Sequence, residues 1–511
     1  MDTIFAHPVT LAVIAGMILI AVIGKIMKAS FESIARWYLY VSAFSVIIVM
    51  NSIFFPFIGG KDYFLRFATE LGLACVVLWW AFEAKPGELG RRVKELFRKP
   101  IAIAVTVFVA MFELACVFAY DPAAAFWSNY ERGEGGFMML HYYLFFLLLL
   151  FLFKTEKQWK TFFRLSLIAA GVMILYGIAG SLMLNGFIGP WAGSPASSIP
   201  SQWWQKLLDN RFQGSLGNAA YVGAYLLFTM FYVGYLWTSE KIANTMTKGK
   251  VWLYSAMLAV ALFFFLLAAT RGSFIGLIGG LFAALLYIVF SSKGKVRKWG
   301  LLVLAVFLLL GAGMYATRHT RFVQGLPVGR LLQISLKDPT AQTRLWDWGE
   351  AWQGFLERPI TGWGPENFTT VFDKFFNPNF YVPGQNSQTW FDRAHSIYFD
   401  YLAETGILGF LSYFGIFVVL FMWLHKKFVA DEEDKNERAE GAENAVHHHR
   451  MALRFQRALI VGIPVAYLMQ GIAIFDVFPM YISTFGIFAF IAYYVSTKGV
   501  SHELETHHHN G

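Results

Sequence analysis

VWLYSAMLAVALFFFLLAATRGSFIGLIGGLFAALLYIVFSS, residues 251–292, is two apolar stretches separated by a single charge, Arg271. Each is about 20 residues long, enough to cross a hydrocarbon layer of about 30 Å. Backbone amides and carbonyls inside lipid must be paired within the segment, so both stretches are expected to be helices. With almost no loop between them, Arg271 is forced against the edge of the membrane. A charge so close to hydrocarbon is costly and commonly functional.

The same pattern recurs along the chain. Thirteen apolar spans are expected near 8–26, 38–57, 67–84, 100–120, 138–153, 163–185, 218–238, 251–270, 272–291, 299–316, 405–424, 458–475 and 478–496. Of 511 residues, 57% are hydrophobic and only 15% charged, with a mean hydropathy of +0.50. A soluble domain carries about 25% charged residues. The expected fold is an all-α polytopic membrane protein, a bundle of about 12–13 transmembrane helices with a large, partly helical outer loop. The opening MDTIFAHPVT lacks the basic start and small-residue cleavage site of a signal peptide.

Orientation is read from loop charge. One alternate set of loops is basic: Lys25, Lys28 and Arg36; Lys85 to Lys99; Lys154 to Arg164; Lys241 to Lys250; Lys293 to Lys298; and Lys426 to Arg457. The opposite loops are poorer in Lys and Arg. The basic set is therefore expected in the cytoplasm, which makes the chain a multi-pass protein of the cytoplasmic membrane. This topogenic role accounts for the net charge of +9, and no basic-aromatic groove suggests nucleic acid. Cys75 and Cys116 fall in apolar blocks and are expected as buried thiols without disulfide or metal spacing. The runs of three His at 447–449 and 507–509 are read as solvated polar stretches.

Four units are expected: an N-terminal transmembrane bundle, 1–210, with an outer loop at 186–217; a core, 211–425, with an outer loop at 317–396; a charged, flexible cytoplasmic linker, 426–457; and C-terminal helices and tail, 458–511. The loop 317–396 carries Trp346, Trp348, Trp352, Trp363 and Trp390, and QTRLWDWGEAWQGFLE, 342–357, has helical apolar spacing. It reads as an amphipathic helix on or near the outer surface.

Four side chains on the outward side stand out. Arg271 is followed by Gly272 and Ser273, which can expose helix N-terminal amides to an anion. Arg211 opens RFQGSLGN, 211–218, with Asn218 a fair N-cap for the next span. Arg344 lies beside Trp346 and Trp348 on the amphipathic helix. His395 precedes an inward span, with Asp392 and Asp400 near enough in sequence to orient it or raise its pKa. An arginine near a membrane end often does no more than snorkel to the headgroups, and a lone histidine is often structural. Three guanidinium groups on one face nonetheless match an anionic, lipid-linked substrate, a pyrophosphate above all.

These residues sit in TRGS (270–273), RFQGSLGN (211–218), TRLWDWGEAW (343–352), PITGWGPENF (359–368) and AHSIYFDYLAETGILG (394–409). In order, spacing and sidedness these motifs resemble the O-antigen ligase and O-antigen polymerase superfamily over roughly 211–425. NYERGEGG, 129–136, also looks like an outer-loop motif of such proteins. The resemblance implies a glycosyltransferase that takes a glycan from an undecaprenyl-pyrophosphate donor and passes it to an acceptor hydroxyl on a lipid or polysaccharide. It implies no metal and no cofactor. It also implies Arg211, Arg271 and Arg344 as pyrophosphate ligands and His395 as the catalytic group, with Asn218, Ser273, Asp392 and Trp348 as possible support. Two alternatives remain: a polymerase of polysaccharide repeat units, which would use the same donor, and a transporter or flippase for an anionic lipid. The second is disfavoured because no internal duplication is evident.

Overall fold

The computed structural model describes residues 8–50, 55–129, 132–181, 211–324, 339–381, 390–437 and 443–497. Its helices, in chain order, are α1 (Pro8–Ile26), α2 (Phe31–Ser42), α3 (Gly59–Phe82), α4 (Glu88–Phe97), α5 (Pro100–Val117), α6 (Pro122–Trp127), α7 (Gly136–Leu152), α8 (Glu156–Ser181), α9 (Ala219–Ile242), α10 (Lys248–Ala268), α11 (Arg271–Ser291), α12 (Gly294–Ala316), α13 (Pro339–Glu357), α14 (Phe368–Lys374), α15 (Ile397–Glu437), α16 (Glu443–Gln470) and α17 (Phe478–Ser496). Among the described residues, ten helices are long and apolar enough to cross a membrane, and two shorter apolar helices lie in α1 and α7. The protein is an all-α polytopic membrane protein.

The span expected at 38–57 is different. Its chain runs as α2, a 3-10 turn over Ala43–Ile47, and extended backbone to Met50. This broken path still traverses the bundle. At one end Glu83, after α3, accepts the Phe31 amide at 2.9 Å. At the other, buried Lys61 near the start of α3 donates to Ile48 O at 2.5 Å and to Ser215 O at 2.9 Å. Polar residues such as Ser42 and Ser45 bond backward to carbonyls Leu39 O and Ser42 O, which favours the tighter turn.

Loops of the basic set meet one another at one end of the bundle. Arg164 and Lys250 both bind Glu240, at 2.9 and 2.7 Å, Arg92 bonds Glu32 and Glu88, and Arg457 pairs with Asp431 at 2.7 Å. His449 contacts Ile242 O at 3.3 Å at the same end, while 507–509 lie outside the described residues. The expected linker is largely helical: α15 runs on to Glu437 and α16 resumes at Glu443. Cys75 and Cys116 are buried free thiols.

α9 and α17 are buried on nearly every side and form the centre, whereas α12 lies at the periphery. α9 begins where expected, Asn218 Oδ1 accepting the Ala220 amide at 2.8 Å. α11 and α16 pack closely through small residues. A Cβ on Gly276 would lie 2.7 Å from Ala466 O, and one on Gly280 would lie 2.8 Å from Gly462 O. Lipid supplies no hydrophobic drive for helices to associate, so such backbone approach carries the packing.

A second device builds the end opposite the basic loops. α15 is interrupted at Gly406, whose φ is +61°. PITGWGPENF docks into the break. Trp363 and Gly364 amides donate to Ala403 O and Glu404 O, at 2.9 and 2.8 Å, and Ile407 donates to Pro359 O at 2.8 Å. Gly362 and Gly406 touch backbone to backbone, since a Cβ on either would come within 2.4 Å of the other strand's main chain. The small core beneath α13 and α14 contains Ala351, Trp363, Phe368, Val371, Phe372, Phe380, Phe391, Ala394 and Ala403.

Candidate active site

α13 is not simply a surface helix. Trp348 Nε1–H donates to Ala394 O at 3.0 Å, and its ring stacks on Phe399. Trp346 meets Phe380 edge-on, and Trp363 is buried. These three indoles are spent on packing. Trp352 and Trp390 remain exposed. Against Trp348 an open apolar cleft of about 530 Å³ is lined by Leu345, Trp348, Trp352, Phe399, Leu402 and Phe410 among others.

The segment before α15 is clamped from several motifs at once. Asp392 receives a two-pronged bond from Arg132, at 2.7 and 3.0 Å. Arg393 is buried and pairs with Glu404 at 3.0 Å, with Glu366, and with Glu134 at 3.5 Å. Glu134 also accepts the Phe478 amide at 2.9 Å. Ala394 donates its amide to Asp400 Oδ1 at 2.6 Å, and Ile397 donates to Gly471 O at 2.9 Å. NYERGEGG, PITGWGPENF and ETGILG, distant along the chain, therefore converge on Asp392–Ala394 and fix the residue that follows. Burial disfavours the charge on Arg393, but the opposing carboxylates Glu366, Glu404 and Glu134 outweigh it and lock the side chain in its charged form. Burial raises Asp392, but the Arg132 bonds and charge win and hold it below the usual carboxylate range.

His395 has φ +53°, a left-handed conformation that disfavours a side chain and marks a constrained position. Its Nδ1 lies 2.9 Å from Arg393 O. A carbonyl can only accept, so Nδ1 carries the hydrogen and Nε2 is the basic nitrogen. The imidazole sits edge-on between Phe391 and Phe475. Burial first, then the positive charge of Arg344, bring its pKa down to about 4. This corrects the expectation of a raised pKa: Asp392 is engaged by Arg132 and Asp400 by a backbone amide. The carboxylate in contact with the ring is Asp347, with Oδ2 3.5 Å from Nδ1. Burial, then the charge of Asp392, push Asp347 up to about 8 against the pull of Arg344.

Arg211 donates to Ala268 O at 3.1 Å and to Thr270 Oγ1 at 3.0 Å, which sets it beside Arg271. Arg271 opens α11, whose first helical bond runs from Phe274 to Thr270, so the preceding amides lie at its open end. Gly272 packs against Ile474 and Gln470. Ser273, expected near an anion, is instead fully buried, its hydroxyl facing Gly223 of α9. Arg344 lies within electrostatic reach of His395 and Asp347. The turn 470–477 joins the two groups: it packs on Gly272, receives the Ile397 amide, and presents Phe475 to both His395 and Arg132, the latter 5.0 Å above the ring. Residues 186–210, 325–338 and 382–389 of the expected outer loops lie outside the described residues.

Arg132, Glu134, Asp347, Glu366, Arg393 and Glu404 were not singled out from the sequence. The available signal was the density of charged residues inside motifs that flank apolar spans.

The arrangement is that of a membrane protein whose helices hold cations and a neutral imidazole at one end of the bundle. Residues 256–414 match the family model for O-antigen ligase, a likeness that supports the O-antigen ligase superfamily. The match takes in Arg271, Arg344 and His395 and supports a glycosyltransferase of the O-antigen ligase and polymerase type. No curated protein matches the chain.

Proposed function

We propose that the protein transfers a glycan from an undecaprenyl-pyrophosphate donor to an acceptor hydroxyl at the outer face of the cytoplasmic membrane, with inversion at the anomeric carbon and without a metal. The observation that carries this reading is the imidazole of His395, neutral, with Nδ1 committed to Arg393 O and Nε2 left as the basic atom, beside Arg344. Neutral Nε2 takes the acceptor's proton. Arg271 and Arg211, with Arg344, hold the pyrophosphate and stabilise the charge that grows on it as the sugar–phosphate bond breaks. Guanidinium groups keep their protons, so this contribution is independent of pH. The apolar cleft beside Trp348 offers a surface suited to a hydrocarbon chain close to the reacting groups. With Trp346, Trp348 and Trp363 engaged in packing, sugar stacking falls to exposed Trp352 and Trp390.

The test is glycan transfer by purified protein from a defined undecaprenyl-pyrophosphate glycan to candidate acceptors, with and without a chelator. Transfer that persists in chelator supports the reading; no transfer to any hydroxyl acceptor sinks it. In a deletion strain, long unattached lipid-linked chains mark a ligase and single repeats mark a polymerase.

A further inference from the structure

A half-buried histidine with a pKa near 4 is a weak base for a hydroxyl proton, and the structure suggests how the site overcomes this. Asp347 is 0% exposed, and neither carboxylate oxygen has a hydrogen-bond partner among the described residues. An orphaned buried carboxylate is costly and calls for a role. Its Oδ2 lies 3.5 Å from His395 Nδ1. The helix that carries it is pinned to the His395 segment by the bond from Trp348 to Ala394 O.

The charged groups around the pair come from every neighbouring element. α13 itself contributes Arg344 and Glu350, the segment before α15 contributes Asp392 and Arg393, the first turn of α15 contributes Asp400, and the loop before α7 contributes Arg132. Asp392 is bound by Arg132, Arg393 by its glutamates, and Asp400 by the Ala394 amide. Glu350 accepts the Asn377 amide; the imidazole is in contact with Asp347, and Arg344 acts on it by charge from the same helix.

We propose that Asp347 and His395 act as one proton acceptor: the acceptor's hydroxyl proton goes to Nε2, and the proton on Nδ1 passes to Asp347 Oδ2. This rests on the glycosyl-transfer reading. The acceptor oxygen bonds the anomeric carbon, the bond from that carbon to the phosphate oxygen breaks, and its electron pair leaves with the pyrophosphate. The imidazole ends neutral as the Nε2–H tautomer, and the carboxylic acid loses its proton to solvent before the next cycle. No imidazolium is left facing the positive charges of Arg344 and Arg132.

The pair accepts a proton only while Asp347 is a carboxylate. Because burial pushes that group up to about 8, the turnover rate rises with pH through that region. Asp347→Asn keeps the shape and cannot take the proton. It should lose the alkaline limb and lower kcat about 100-fold, with KM within about twofold, and Asp347→Glu should recover part of both. A readout independent of activity is the Nδ1 signal in nitrogen-15 histidine-labelled protein in lipid nanodiscs, assigned by His395→Gln. In the wild type the resting ring keeps its hydrogen on Nδ1, held by Arg393 O, and the Nδ1 signal should shift near pH 8 as Asp347 beside it titrates; Asp347→Asn should abolish this switch. An unchanged limb and an unchanged switch in Asp347→Asn would overturn the proposal. An unchanged rate in His395→Ala would overturn the glycosyl-transfer reading instead. The nitrogen-15 switch tells the two apart, because it reports the pair whether or not a glycan moves.

Discussion

His395 is held in place because its neighbours deny it alternatives. Its preceding residues are bound by Arg132, by the glutamates around Arg393 and by Asp400, so the ring is held with one nitrogen committed and one basic. Replacing His395 or Arg271 by Ala should therefore cut transfer at least 100-fold while the purified protein keeps its wild-type melting temperature, measured by transfer assay and thermal unfolding in parallel. Arg132 carries a different load. Arg132→Ala leaves Asp392 partly buried and unpaired, next to a ring that has lost its cation. Breaking one partner of such a pair costs about 3–5 kcal/mol, so a clear fall in melting temperature is expected. The double change Arg132→Ala with Asp392→Asn should recover part of it, and no recovery would argue that the two side chains act separately.

Helices meet here through backbone, which makes certain glycines stricter than any core side chain. Gly280 stands against Ala466 and Gly462, so even Gly280→Ala should overpack the α11–α16 contact by about 1–3 kcal/mol. A lower melting temperature, larger than that of Gly311→Ala on the open face of α12, would confirm it; equal melting temperatures would not fit this packing. Gly406→Ala is harsher, because its left-handed φ and the carbonyl of Ile360 at 2.4 Å both oppose a side chain. It should release PITGWGPENF from the break in α15, remove the support for Arg393 through Glu366 and Glu404, and abolish transfer together with lower stability.

Across the molecule, loops of the basic set and the site gather at opposite ends, and the positive-inside rule assigns the basic end to the cytoplasm. In a background without Cys75 and Cys116, a cysteine at Gln213 should react with an impermeant maleimide in intact cells, and one at Asn244 only after permeabilisation. Reversed labelling would turn the whole assignment over. The helices were legible because each is a local event: about 20 apolar residues in lipid have no other way to pair their backbone. Apolar counting predicts one helix over 38–57, whereas the chain from Phe31 to Met50 is broken, since its 3-10 turn depends on short serine bonds that such counting does not register. The motifs around Arg211, Arg271, Arg344 and His395 could be picked out one by one. Nothing in their spacing revealed that Asp347 rather than Asp392 touches the imidazole, that Arg132 neutralises Asp392 across 260 positions, or that Ser273 turns inward. Apolar length is written in consecutive residues and follows from the chain alone. Charge pairing and the pKa of a buried group depend on which distant residues folding brings within a few ångströms, and so belong to the assembled bundle.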